Sequence, residues 1–126
     1  LRLNSDARGD FGELLRNLKG GQLSYLTVEP GATRGGHFHF VKVEKFFVLS
    51  GEVEFRFLNL NDMTEHAERC SSIVNAAVYC APAIVHWISN LSDSPAVIAV
   101  WSSQIFIDTD PDTYSYTQVS NTCVET

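Results

Sequence analysis

Three of the four histidines in this chain stand at spacings that suit one metal centre. The first stretch is Gly31-Ala-Thr-Arg-Gly-Gly-His37-Phe-His39-Phe-Val-Lys-Val-Glu44-Lys-Phe-Phe-Val-Leu-Ser-Gly51, a G-x5-H-x-H-x4-E-x6-G pattern. The second is Ala81-Pro-Ala-Ile-Val-His86-Trp-Ile-Ser-Asn90, a proline turn followed by H-x3-N. Side chains two apart on a strand share a face, so His37 and His39 can point together into one interior. Glu44 lies five residues beyond His39, and an odd offset puts it on the opposite face of a continuous strand. The chain is therefore expected to bend or bulge across Phe40 to Val43, returning Glu44 to the histidines from a neighbouring segment. With His86 arriving on a separate strand, three imidazoles and one carboxylate form an N/O donor set. Such a set suits zinc, iron, manganese or nickel and does not select among them.

The elements that must carry these residues read as short strands. Gln22 to Glu29 alternates and ends at Pro30-Gly31. Gly31 and Gly35-Gly36 supply the backbone freedom that delivers His37 to the interior. Glu44 to Leu49 and Glu52 to Leu60 flank Ser50-Gly51 and read as a hairpin, with Val53, Phe55 and Phe57 on one face and Leu58 on the other. Asn59 to Thr64 is a polar connection, and His66 sits in a loop-like stretch as a solvated surface histidine. Val74 to Cys80 and Ile84 to Ser89 bracket the Pro82 turn, and Ala96 to Ser102 is a further apolar strand. Strands at this spacing predict an all-β sandwich or barrel. Asp10-Phe-Gly-Glu13 reads differently: a capping box with Phe11, Leu14, Leu15 and Leu18 at helical spacing favours a short helix.

At 126 residues and 44% hydrophobic content, the chain fits one compact domain with a real core. A net charge of −6 argues against nucleic acid as a partner. No apolar run approaches the roughly 20 residues that span a bilayer, and no signal-peptide pattern is present. Cys70, Cys80 and Cys123 are odd in number and lack CxxC spacing, which reads as reduced thiols of a cytoplasmic protein. Residues 115–126 read as a loosely held tail behind a core of 5–114. The opening at Leu1 without methionine fits a domain excised from a longer chain.

The two-part histidine pattern is the signature of the cupin superfamily, which implies a jelly-roll barrel. More specific words are Ser5-Asp-Ala-Arg8-Gly-Asp-Phe11-Gly-Glu13, Gly21-Gln22-Leu-Ser24, Thr33-Arg34-Gly-Gly-His37-Phe-His39-Phe-Val-Lys42-Val-Glu44-Lys45-Phe46, Trp101-Ser-Ser-Gln104-Ile-Phe106 and Pro111-Asp112-Thr113-Tyr114. Together they resemble the C-terminal cupin domain of the CapF-like capsular polysaccharide enzymes, from about Ser5 to Tyr114. In place of a helix, this resemblance implies a strand for the first half of the Asp10 segment.

The resemblance implies zinc held by His37, His39, Glu44 and His86. It also implies C3 epimerisation of a UDP-linked 4-keto-6-deoxy-N-acetylhexosamine for capsule or O-antigen synthesis, a homodimer, and an N-terminal NADPH-dependent reductase domain. No G-x-G-x-x-G fingerprint for such a reductase stands in this chain. Asp6-Ala-Arg8-Gly9 also resembles the opening strand of the dTDP-4-keto-6-deoxyglucose 3,5-epimerases, where an arginine meets the pyrophosphate. The expected substrate-binding set is Arg8, Arg34, Gln104, Trp101 and Asn90. Lys42 is the expected acid or base, with His39 and Glu44 as catalytic members of the metal set. For Lys42 a surface or phosphate contact is the competing role, and for Arg8 and Arg34 a plain surface salt bridge, more so for Arg8. Three departures stand out. Ala81-Pro82-Ala83 replaces Pro-Pro-Gly, Asn75 replaces a glycine, and Gln104 replaces a glutamate. The ligand set also suits an iron-type dioxygenase, and the fold suits a non-catalytic sugar-nucleotide-binding module.

Overall fold

A computed structural model describes residues 3–17 and 19–117. Two antiparallel sheets face one another. The first orders β1 (Leu3–Asp6), β2 (Gly9–Asn17), β3 (Gly21–Val28), β10 (Ala96–Ser102), β5 (Glu44–Ser50) and β8 (Ala77–Cys80). The second orders β11 (Tyr114–Ser115), β4 (Thr33–Phe38), β9 (Ile84–Asn90), β6 (Glu52–Asn59) and β7 (Glu65–Ser71). This is a jelly roll, and the described residues include no helix.

The interior changes character along the barrel because β3, β10 and β5 run in register from Ile98 to Ser102. Ala96 lies beside Val28, and Ile98 lies between Leu26 and Val48; all are buried and apolar. Val100 then lies between Ser24 and Phe46, and Ser102 between Gln22 and Glu44. One end of the interior is thus closed by aliphatic side chains, while the other carries buried polar groups.

Several strands differ from the sequence expectation. The Asp10 segment is strand throughout β2, not helix. Gly12 packs so tightly on Tyr25 that a Cβ would lie 2.3 Å from its ring. The Glu13–Ser24 and Leu15–Leu23 pairs leave Leu14 as an extra residue, and this bulge produces the misleading helical spacing. Leu18 lies outside the described residues.

Ser50-Gly51 is not a hairpin, since β5 and β6 belong to different sheets. Gly51 has φ +88° and turns the chain over Ala96, leaving only 2.9 Å for a Cβ. Pro82 likewise lies on a crossing between sheets, from β8 to β9. Leu58 is buried along with Val53 and Phe55, although the alternation sets it on the other face. His66 is solvent-facing as expected, but on strand β7, where Cys70 is the one residue classed as buried. Ser115 pairs with His37, and the Tyr116 amide donates to the Gly36 carbonyl at 2.8 Å, so this start of the expected tail is held. Residues 118–126, with Cys123, lie outside the described residues.

Candidate metal centre

The glycines before His37 solve a parity problem. Arg34 pairs with Ile88, whose side chain is buried, so Arg34 faces the interior. Two residues on, Gly36 would share that face and His37 would point away. A bulge intervenes: Gly35 pairs with Trp87 while His37 pairs with His86, leaving Gly36 extra. Gly35 and Gly36 have φ +102° and +78°, and a Cβ on Gly35 would lie 2.5 Å from the His86 carbonyl oxygen. Arg34 and His37 therefore both reach the interior despite their odd spacing.

The chain then bends after His39, as expected. The Asp112 carboxylate accepts hydrogen bonds from the amides of Phe40, Val41 and Lys42 at 2.9, 3.0 and 2.9 Å. The Val43 amide donates to Ser103 Oγ at 3.0 Å, and β5 begins at Glu44 in the opposite sheet. Glu44 thus meets the histidines from across the barrel.

One ring nitrogen from each of His37, His39 and His86 lies within 4.8 Å of the other two. Glu44 Oε1 is 2.8 Å from His39 Nε2 and 3.3 Å from His86 Nε2. The other carboxylate oxygen accepts from Ser102 Oγ at 2.9 Å. Burial works to raise the Glu44 pKa, but the adjoining imidazoles outweigh it and hold the carboxyl well below its ordinary range. Burial, reinforced by His86, lowers His37 from 6.5 to about 3, against the pull of Glu44.

This arrangement fits a divalent cation. The His39 Nδ1–H donates to the Asp112 carbonyl at 2.7 Å, while Nε2 faces the ionised Glu44. Both nitrogens of one ring therefore face acceptors, and a neutral imidazole has only one N–H. A cation at Nε2 resolves that conflict. His86 Nε2 is buried without a hydrogen bond, because its 3.3 Å approach to Glu44 lacks bonding geometry. Its Nδ1 lies 3.3 Å from both the Ile84 carbonyl and Cys80 Sγ, partners that orient the ring. Burial raises the Cys80 thiol to about 12, which keeps it a neutral neighbour.

Two cavities adjoin this centre. One, of about 270 Å³, is lined by Glu13, Gln22, Lys42, Gln104 and Phe106 with His37, His39 and Glu44 of the cluster. The other, of about 200 Å³, is lined by Arg8, Arg34, Phe46 and Ile88 on the His86 side. Lys42 is buried in the loop before β5, with Nζ 5.6 Å from the Phe106 ring centroid. Burial lowers its pKa, and Glu44 and Asp112 pull it back upward. Arg34 has a buried Nη1 with no hydrogen bond, 4.0 Å from Asp6. Arg8 lies in the turn after β1, exposed and ion-paired with Asp6.

Two expected substrate residues stand apart from the site. Trp101 alternates away from Val100 and Ser102, and its indole N–H donates to the Gly20 carbonyl at 2.9 Å. Asn90 Nδ2 donates to the Val28 and Ser94 carbonyls, and its Oδ1 accepts from Ser92, at the opposite end of the interior. Both serve the frame. Conversely, Glu13, Gln22 and Asp112 stand at the site or its loop without having been assigned roles. Their signal was present in words such as Phe11-Gly-Glu13 and Pro111-Asp112-Thr113.

A jelly roll with three inward imidazoles and a carboxylate at one end defines a cupin. Residues 4–114 match the polysaccharide biosynthesis C-terminal domain, and the chain belongs to that family. It is 37% identical over 114 residues to the UDP-2-acetamido-2,6-beta-L-arabino-hexul-4-ose reductase of Pseudomonas aeruginosa, covering 90% of this chain and 30% of that protein. The capsular polysaccharide assembling protein CapF from Staphylococcus aureus superposes with a TM-score of 0.86 at 35% identity, over 91% of this chain and 34% of that one. The CENP-C cupin domain of Drosophila melanogaster shares the fold at 18% identity, with a TM-score of 0.67 over 80% and 74% of the two chains. The chain thus spans about a third of the length of its sugar-nucleotide and capsular relatives.

Proposed function

We propose that the chain is a metal-dependent epimerase domain that exchanges the C3 proton of a UDP-linked 4-keto-6-deoxy-N-acetylhexosamine during synthesis of capsule or O-antigen precursors. The observation that carries this reading is the convergence of His37, His39, His86 and Glu44 beside a cavity that Lys42 lines. The Pseudomonas relative is named for a UDP-linked keto-sugar and the Staphylococcus relative for capsule assembly, which supports the substrate class.

When bound at these four side chains, zinc would supply Lewis acidity to the ketone oxygen at C4. Lys42 Nζ is the group proposed to carry the C3 proton. Burial has lowered its pKa, so it gives up and regains a proton more readily than a surface lysine. Glu13 in the same cavity is a second proton carrier for the opposite face. Arg34, with its unbonded Nη1, and Arg8 line the adjoining cavity and suit a diphosphate. Gln104 offers its amide at the mouth.

Proton NMR of UDP-4-keto-6-deoxy-N-acetylglucosamine in D2O tests this. The C3 signal should disappear with the zinc-loaded protein and persist with Lys42→Ala, which keeps its zinc. No exchange with the loaded wild type contradicts an autonomous epimerase and favours a sugar-nucleotide-binding module. Gln104 favours that second reading, since it removes a carboxylate from the cavity mouth that the resemblance implies. Oxygen uptake with ferrous iron would instead indicate a dioxygenase.

A further inference from the structure

We infer that Asp112 is the positioning residue of the metal centre, acting from the far end of the chain on three of its parts at once. Its carboxylate gathers the amides of Phe40, Val41 and Lys42, closing the bend that brings Lys42 and Glu44 back into the barrel. Its own carbonyl accepts the Nδ1–H of His39 at 2.7 Å, which commits Nε2 to the metal side. Two residues later, β11 pairs with β4 at Phe38 and His37. One short strap therefore fixes the strand of His37, the ring of His39 and the approach to Glu44.

The backbone geometry supports a dedicated role. Asp112 has φ +47°, a left-handed conformation that Asp and Asn tolerate better than most side chains. Three convergent N–H donors require an acceptor with two free oxygens. Asparagine suits the backbone but replaces one oxygen with an NH2 group that cannot accept. Asp112→Asn thus weakens the clamp while leaving the conformation available.

This inference rests on the metal reading of the site, and the test separates the two. Zinc affinity is measured by chelator competition and coordination geometry by the visible spectrum of the cobalt form. Asp112→Asn should bind zinc about 10- to 100-fold more weakly, the range typical of groups that orient metal ligands, and should shift the cobalt bands. Asn90→Ala, which removes a hydrogen-bonded staple at the other end, should lower the melting temperature yet keep the wild-type cobalt spectrum. Linkage gives a measurement that needs no variant. Zinc must slow hydrogen exchange at the Phe40, Val41 and Lys42 amides more than at the Ser92 amide. Wild-type affinity and spectrum in Asp112→Asn, or equal slowing at both places, overturns the inference alone. A wild-type protein that takes up neither ion overturns the metal reading with it.

Discussion

The two ends of the barrel interior are built from the same strands and do opposite things. At the closed end, Val28, Val48, Val53 and Ala96 exclude water, and among the described residues Asn90 is the buried polar side chain there, with hydrogen bonds that stay within the protein. At the open end, Gln22, Glu44, His86 and Ser102 occupy the same inward positions of β3, β5, β9 and β10. Buried polar groups cost free energy unless paired, and unpaired ones are concentrated at functional sites. Among the described residues, the two buried side-chain nitrogens without a hydrogen bond, on Arg34 and His86, both line the cavity on the His86 side. The closed end therefore supplies stability, and the open end uses part of it to hold a site poised for a cation.

Substitutions should separate the two ends. Ile98 is fully buried between Leu26 and Val48 at the closed end, and Ile98→Ala should cost about 2–5 kcal/mol in urea unfolding. The folded fraction of that variant should retain wild-type zinc affinity; a parallel loss of affinity would join the two ends into one unit.

A smaller effect should appear with acid. Burial holds His37 at about 3 against an unfolded value of 6.5, so below pH 6.5 the unfolded chain takes up a proton that the folded chain refuses. Metal-free stability is complete above pH 6.5 and should fall below it, by up to about 1.4 kcal/mol per pH unit. Glu44, also depressed, adds to the loss only below its ordinary 4.5. His37→Gln should flatten the profile between pH 4.5 and 6.5, and an unchanged slope there would assign the acid sensitivity elsewhere.

The smallest effect concerns Ala83, which sits at φ +63° where the resemblance implies glycine. Relief of that left-handed strain by Ala83→Gly should raise stability by about 1 kcal/mol at most, as read from the urea midpoint. A destabilised variant would mean that the methyl group packs usefully.

The same contrast explains what could be read from sequence. Ala96–Ser102 is apolar in all but its last residue, so its strand was visible from end to end. β7 was not, because Cys70 is its one buried side chain and the rest of the strand reads as a polar loop. In β2 the bulge at Leu14 broke the two-residue period and imitated a helix. The bend that returns Glu44 to the histidines followed from parity alone, whereas its cause did not. Asp112 acts across about seventy residues, a distance over which spacing carries no information. Trp101 and Asn90 stand away from the metal cluster for a related reason. A motif word names residues that stay together, but not whether they serve the site or the frame.

The proposed metal centre holds one divalent ion at the open end on side chains of this chain alone. Zinc stoichiometry and X-ray absorption at the zinc edge, measured on the wild-type protein and on His86→Ala, test it most directly. The wild type should hold one zinc per chain with roughly three nitrogen neighbours and one oxygen at about 2.0–2.2 Å, and His86→Ala should show a sharply reduced zinc content. Zinc absent from the wild type, or retained by His86→Ala with an unchanged spectrum, would contradict it.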